Sequence, residues 1–583
     1  MKTNWLLVIL LVPLTFTITA VLYADEGPGR PPVGLTNVDT QAGYALHWGG
    51  PKPPYQPAAS IQLTLAADEY ESLELGILAL ADIGEVTCSI ESSPPLPGTA
   101  ARIRSLNRIS NILMDDRGFG ESVGVFYDYK SEKDWAQWAL LNRDTLSLRN
   151  GAHKSFWITF NTRKITPGRY TVNIRLHPTS APPRTVQVDL HVIDVRRADN
   201  TQLRFPLIMR MYHTQARLNP DGLDAHFQLM SEHYIGQLML HFNANFWANA
   251  VQVTLTDDGG LVTDFSGLQS RVRGAIGHGI DTVALMHHLY NKQWVKPFDA
   301  LPDDKRTALR TKLAGRIVDC LYELGFKDVW MYTMDEPKVE YAVSKPVLDE
   351  FKEFRKVHPR LKFQISFNHY APELVNTLNP FIDIWTANSR ALSVFQEDKQ
   401  QNLITIDPAD QVGFYRGNYY IENPDLARSH GWLAAMWRCD HYTLFAYHQG
   451  FVIPNRQWVC FAKDPDGRPM STPGLDGVRE GFEDFTYWRT LDHLIDKADD
   501  LPKHRLTEAD TGHLDQARNL RDQMFAHTAD ALVHLGTESR VHTGGRPWPR
   551  IRNPNRWDYA KGKAVLLKHI AAVKQISERT AGR

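Results

Sequence analysis

Trp330-Met-Tyr-Thr-Met-Asp335-Glu336-Pro337 is the stretch whose reading decides the fold. Apart from Thr333, apolar and aromatic residues run to Met334, then two carboxylates and a proline follow, as in a buried strand that empties into a polar mouth. Apolar strand-like runs recur on both sides: Leu203–Arg210, Gln237–Phe242, Thr282–His287, Phe363–Phe367, Ile382–Trp385, Val412–Tyr415 and Tyr442–Tyr447. Amphipathic stretches such as Lys305–Leu324, Lys345–Val357 and Pro424–Trp437 separate them. Eight strands alternating with helices predict a closed (β/α)8 TIM-type barrel. An open doubly wound sheet needs fewer strands, and no Gly-rich phosphate loop follows the first. Around Asp258-Gly259 the segment 251–263 reads as a hairpin, an excursion from the loop after the second strand.

Upstream the period changes to two. Ile61–Leu65, Leu73–Ile77, Ser155–Phe160, Tyr170–Leu176 and Val186–Val192 alternate, with turn signals such as Thr166-Pro167-Gly168 between them. Short strands of this kind predict an antiparallel β-sandwich, with Asp115 to Asn142 as an insertion or long loop. Downstream the chain reads as helical over Leu475–Ala498, Glu508–Leu535 and Asp558–Ile576. The organisation expected is a signal peptide (1–24), a β-sandwich domain (25–198), a barrel domain (199–503) and a C-terminal helical extension (504–583).

The N-terminus carries an export signal in outline. Lys2 is followed by an apolar run from Trp5 to Ile18 and by small residues at Ala20 and Ala24, with cleavage placed after Ala24. That predicts a secreted, periplasmic or extracellular protein, an uncleaved anchor being the alternative. The Pro/Gly-rich stretch Gly27–Pro57 is a lead-in, and no later segment suits a stable membrane insertion. Basic and acidic residues balance, 65 against 66 among 583, which offers nothing to a nucleic acid or an anionic membrane. Fifteen Trp and 21 Tyr suit either large cores or the mixed apolar and hydroxyl faces of a sugar. Cys88, Cys320, Cys439 and Cys460 match neither a zinc site nor a disulfide framework, and Cys439–Cys460 is the one pair near in sequence.

Barrel chemistry sits at the C-terminal ends of the strands. Neighbours within a strand point to opposite faces, so Asp335 and Glu336 can share a substrate only if the backbone turns there, and Pro337 keeps its predecessor out of helical geometry. The alternative is Asp335 as the cap of a following helix. Other strand ends offer Arg210 and Tyr212, Asn243 and Asn245, His287 and His288, Asn368 and His369, Trp385 and Asn388, Arg416, Tyr447, His448 and Gln449. His287 and His288 diverge and have no third ligand at metal spacing, so neither a metal nor another cofactor is expected. No Gly-x-Ser-x-Gly elbow is present. Arg479 and Glu483 stand four apart on a helix, which predicts a structural pair.

In order along the chain come a β-sandwich, Tyr332-x-x-Asp-Glu-Pro337, Asp383-Ile-Trp385, the segment Arg428 to Trp432, the aromatic strand Tyr442–Tyr447 and Arg479-Glu-Gly-Phe-Glu-Asp-Phe-Thr-Tyr487. This set resembles glycoside hydrolase family 123 and the domain of unknown function 4091 grouped with it, over about residues 60–500. The resemblance implies an exo-acting hydrolase of β-linked N-acetylhexosamine that works by substrate assistance with retention. It implies Glu336 as the general acid and Asp335 as the group that orients the 2-acetamido arm. A carbohydrate is then the partner, with Tyr332, Asn368, Trp385, Tyr447, Trp458 and Arg210 as candidate substrate-binding residues. For Trp385, Tyr447 and Trp458, core packing is the alternative to a sugar-binding wall. Two other readings stay open. One is a glycosidase acting on a sugar without the acetamido group, which needs a nucleophile about 5 Å from the acid or a base further away, with Asp440 and Asp383 as candidates. The other is a non-catalytic carbohydrate-binding surface protein.

Overall fold

The computed structural model describes residues 42–48, 56–58, 60–109, 137–198, 203, 210–213, 222–240, 250–286, 298, 301–417, 424–448, 469–535, 548–551 and 559–581. Its first part is two facing sheets. One has the order β2 (Gln56–Pro57), β1 (Tyr44–Trp48), β4 (Tyr70–Ala79), β9 (His153–Asn161), β6 (Ala101–Ile109), β7 (Gln137–Leu141). The other runs β3 (Ile61–Ala66), β11 (Arg184–Ile193), β10 (Gly168–Pro178), β5 (Gly84–Ser93), β8 (Thr145–Leu148). The period of two does what it predicts. Val186, Val188, Leu190 and Val192 of β11 point inward and meet Leu75, Ile77, Phe156 and Ile158 of the opposite sheet. One pair departs from the antiparallel expectation: β3 runs parallel to β11. No hairpin joins these two strands, so no turn dictates their relative direction. The far end of the expected insertion is a strand, β7, paired with β6, while residues 110–136 lie outside the described residues.

The second part is one eight-stranded parallel sheet in the order β12 (Arg210–His213), β21 (His441–His448), β20 (Gln411–Gly417), β19 (Ile384–Asn388), β18 (Lys362–Phe367), β17 (Asp328–Asp335), β16 (Thr282–Met286), β13 (Gln237–Leu240). Helices between consecutive strands include Asp303–Glu323, Lys345–Phe354, Ser389–Gln400 and Pro424–Met436. Every residue of β13, and Phe363 to Phe367 of β18, are buried, as expected of strands covered on both faces. β12 and β13, first and second in sequence, stand at the two ends of the order and touch each other. β12 begins where the expected run Leu203–Arg210 ends, and residues 204–209 lie outside the described residues. The hairpin is present as β14 (Gln252–Leu255) and β15 (Leu261–Asp264), with Gly259 at φ +77° in its turn.

A 27-residue helix, Pro473–Asp499, follows the sheet and is buried from Pro473 through Trp488. It crosses Pro424–Met436 at backbone contact. A Cβ on Gly431 would lie 1.6 Å from the Gly481 carbonyl oxygen, and one on Gly481 would lie 2.4 Å from the Arg428 carbonyl oxygen. The expected helix Glu508–Leu535 stops at Ala531. Leu532–Leu535 instead forms β22, paired with β23 (Trp548–Ile551), where a ladder satisfies backbone groups that a helix end leaves open. A last helix spans Tyr559–Ala581. Cys439 is a buried free thiol whose pKa burial pushes well up, and Cys460 lies outside the described residues.

The charged residues of the long helix meet the β-sandwich in a buried ionic network. Asp476 accepts from Arg104 and from the indole of Trp157 (2.9 Å), and His233 Nε2 lies 2.9 Å away. Arg428 bridges Asp484 (2.6 Å), Glu71 (2.8 Å) and Glu480 (3.3 Å), while Lys563 of the last helix reaches Glu69 and Glu71. Pairing and hydrogen bonding are what make such burial tolerable. The expected Arg479–Glu483 pair is replaced. Arg479 turns to Asp476 and Glu480, whereas Glu483 accepts from the Tyr70 backbone N–H and the Tyr234 hydroxyl. Arg479 finds nearer carboxylates on its own helix, while donors from outside the helix claim Glu483.

Candidate active site

Asp335 ends β17, and the geometry around it begins with an irregular register. Tyr332 pairs with Gln364 and Met334 with Ile365, so Thr333 is an extra residue, its hydroxyl donating to the Gln364 carbonyl at 2.8 Å. Residues three apart on a regular strand face opposite ways; one extra residue reverses that parity. Tyr332 and Asp335 therefore meet, and the phenol donates to Asp335 Oδ1 at 2.6 Å. Ser366, on the adjoining strand, donates to the same oxygen at 3.0 Å and also contacts the Tyr332 hydroxyl. Asp335 is thus an acceptor fixed by two neutral hydroxyls.

Glu336 is turned by its backbone. Its N–H continues the ladder to the Ser366 carbonyl at 2.9 Å, but its φ is +46°, a left-handed conformation that costs a non-glycine residue about 1 kcal/mol or more. The turn at the strand's exit that the Asp-Glu-Pro triplet predicts is present, and Asp335 and Glu336 are both exposed. Glu336 Oε2 accepts from Asn368 Nδ2 at 2.8 Å, and Oε1 accepts from the Tyr415 hydroxyl. The helix-cap alternative fails: the next helix starts at Val339, with Lys338 in the cap position.

The structure brings Tyr332, Asn368, Asp335 and Glu336 together, with Tyr332 and Asn368 directed at the carboxylates. Trp385 requires a correction as a sugar wall. Its ring is 0% exposed, and its indole N–H donates to Asp410 Oδ2 at 3.1 Å. Asp410 precedes β20, so that bond ties the ring toward the end of the sheet opposite Asp335. Facing Phe367 and Phe395, it is core. Arg210 opens β12 and Tyr447 lies near the end of β21, but their side chains lie outside the described residues, as do all of Trp458, His287 and His288. Asp383 and Asp440 also need correcting as nucleophile candidates. Each precedes its strand, at the end of a parallel sheet opposite Glu336, and each caps a neighbour: Asp383 accepts from Phe363 N–H (2.6 Å), Asp440 from Val412 N–H (2.9 Å). Arg355 and Arg489 pair with them. Ser366 and Tyr415 escaped the sequence reading. Each is a hydroxyl near the C-terminal end of an apolar run, a signal that could have found them.

Comparison with solved structures supplies the remaining observation. A family 123 glycoside hydrolase from Clostridium perfringens, studied for glycolipid glycan hydrolysis, superposes over 90% of this chain and 95% of its own, with a TM-score of 0.60 and 10% identity. This chain shares the family 123 fold. A putative glycoside hydrolase from Bacteroides vulgatus aligns over 74% of this chain and 78% of its own, with a TM-score of 0.31 and 11% identity. No sequence family matches the chain, and no curated protein matches it by sequence. At 90% coverage the likeness takes in both the sandwich and the parallel sheet.

Proposed function

We propose that this protein is a secreted glycoside hydrolase acting exo on β-linked N-acetylhexosamine, GalNAc-like, by substrate-assisted retaining catalysis. The observation that carries the reading is the pair Asp335–Glu336, adjacent in sequence, both exposed, and each anchored by its own side-chain donors. Glu336, protonated, gives its proton to the glycosidic oxygen while the acetamido carbonyl oxygen attacks the anomeric carbon. Asp335 accepts the acetamido N–H and stabilises the oxazolinium; Glu336 then activates water. A sugar without an acetamido arm needs a nucleophile about 5 Å from the acid. The placement of Asp383 and Asp440 at the other end of the sheet speaks against them in that role. The same reading closes the sheet into a (β/α)8 barrel between β12 and β13, takes residues 25–198 as a buttressing sandwich domain, and exports the chain through residues 1–24.

The test is a panel of chromogenic glycosides with and without 2-acetamido groups, given to wild type and Glu336→Gln. Turnover confined to acetamido sugars and lost in the variant supports the assisted mechanism. Turnover of plain sugars rejects it. Glycan binding without turnover, unchanged in Glu336→Gln, would mark a binding protein.

A further inference from the structure

Tyr415 lies on β20, 7% exposed, with its hydroxyl on Glu336 Oε1. Its registered neighbour on β19 is Asn388, whose side-chain amide donates to the same phenolic oxygen. A phenol has one hydrogen. With the Asn388 amide directed into its oxygen, that hydrogen is left for Glu336. Burial foremost holds the Tyr415 pKa far above the usual phenol range, so Tyr415 remains a neutral donor across working pH. Asn368 occupies the other carboxylate oxygen, Oε2, at 2.8 Å. Among the described residues, each oxygen of Glu336 thus accepts from one side-chain donor.

We infer that Tyr415, aligned by Asn388, is a positioning residue that stabilises the carboxylate Glu336 becomes as it protonates the leaving group. This rests on the glycosidase reading above. In that step the O–H bond of Glu336 breaks and an O–H bond forms on the glycosidic oxygen. The C1–O bond breaks, its electron pair passing to that oxygen, while the acetamido oxygen bonds to C1. Negative charge appears on Glu336 only as the proton leaves, and a hydrogen bond to a charged acceptor is stronger than one to a neutral acid. The Tyr415 bond therefore strengthens on the way to the transition state, the condition for it to accelerate the step.

The dependence on leaving group tests this. Tyr415→Phe keeps the ring and removes the hydroxyl. On alkyl or sugar leaving groups, which need the proton, kcat/KM is expected to fall about 10- to 100-fold; on a dinitrophenyl glycoside, whose oxygen departs without one, it should fall less than about threefold. Asn388→Ala, which leaves the phenol in place, should give the same pattern with a smaller loss, and decides the matter if Tyr415→Phe melts early. An equal loss on both substrate classes, or none on either, overturns the inference. Silence of the wild type on every glycoside overturns the glycosidase reading itself, and this inference with it.

Discussion

Tyr332 and Asp335 are three residues apart on one strand and hydrogen-bonded at 2.6 Å, a contact that exists because Thr333 is an extra residue in the ladder. The phenol and Ser366 converge on one carboxylate oxygen, Oδ1. Removing one of two donors loosens Asp335 without removing its charge. Tyr332→Phe is expected to lower kcat about 10-fold or more, and Ser366→Ala less, with KM nearly constant in both. Steady-state kinetics on an acetamido glycoside check this; a change confined to KM would place Tyr332 at the sugar instead.

Trp385 should matter to stability and not to substrate. Phenylalanine there loses the indole bond to Asp410 and part of a buried ring, about 1–3 kcal/mol in all. Denaturant unfolding of Trp385→Phe should show that loss while KM stays at the wild-type value. A raised KM with unchanged stability would restore Trp385 to the site.

The crossing of Pro424–Met436 with Pro473–Asp499 predicts intolerance of a single methyl group. At Gly431 and Gly481 an added Cβ meets backbone, which cannot step aside as a side chain can. Gly431→Ala and Gly481→Ala should each cost about 3 kcal/mol or more, at or beyond the upper end of ordinary overpacking. Thermal melting gives the answer, and a variant that melts within a degree of wild type would refute the close crossing.

The buried network also makes stability depend on pH. Burial pushes the Glu69 carboxyl from 4.5 up to about 8 against the opposing charge of Lys563, whereas Arg428 and Lys563, overcoming burial, hold Glu71 down to about 2. For Glu69 the folded protein keeps a proton that the unfolded chain has released. Its contribution is full below about pH 4.5 and is lost as pH rises through 8. Glu71 acts oppositely, its contribution present above about pH 4.5 and lost as pH falls through 2. Between pH 5 and 8 the Glu69 loss operates alone of the two. Glu69→Gln should therefore flatten the fall in unfolding free energy over that range. Parallel wild-type and variant curves between pH 5 and 8 would show that Glu69 does not hold the proton.

By itself the sequence determined the two-part architecture and the strand exit at which Asp335 and Glu336 stand. Period-two alternation is a local signal, since each inward Val or Leu of β11 is read two residues from the next, and long apolar runs mark strands covered on both faces. Asp-Glu-Pro after such a run marks a strand's exit because the proline restricts the backbone before it. The direction of β3 was not legible, since no turn links it to β11. Nor was the fate of Trp385, because an aromatic at a strand end has the same letter in a core as beside a sugar. Only the tertiary structure decided which donors hold Asp335 and Glu336. Ser366 and Tyr415 arrive from other strands, 31 and 79 residues away, and Tyr332 reaches Asp335 through a bulge that no periodicity announces. It likewise set Asp476, Arg479 and Glu483 against the sandwich and gave Glu480 and Asp484 to Arg428, because a charge on a helix finds its partner in whatever surface packs against it.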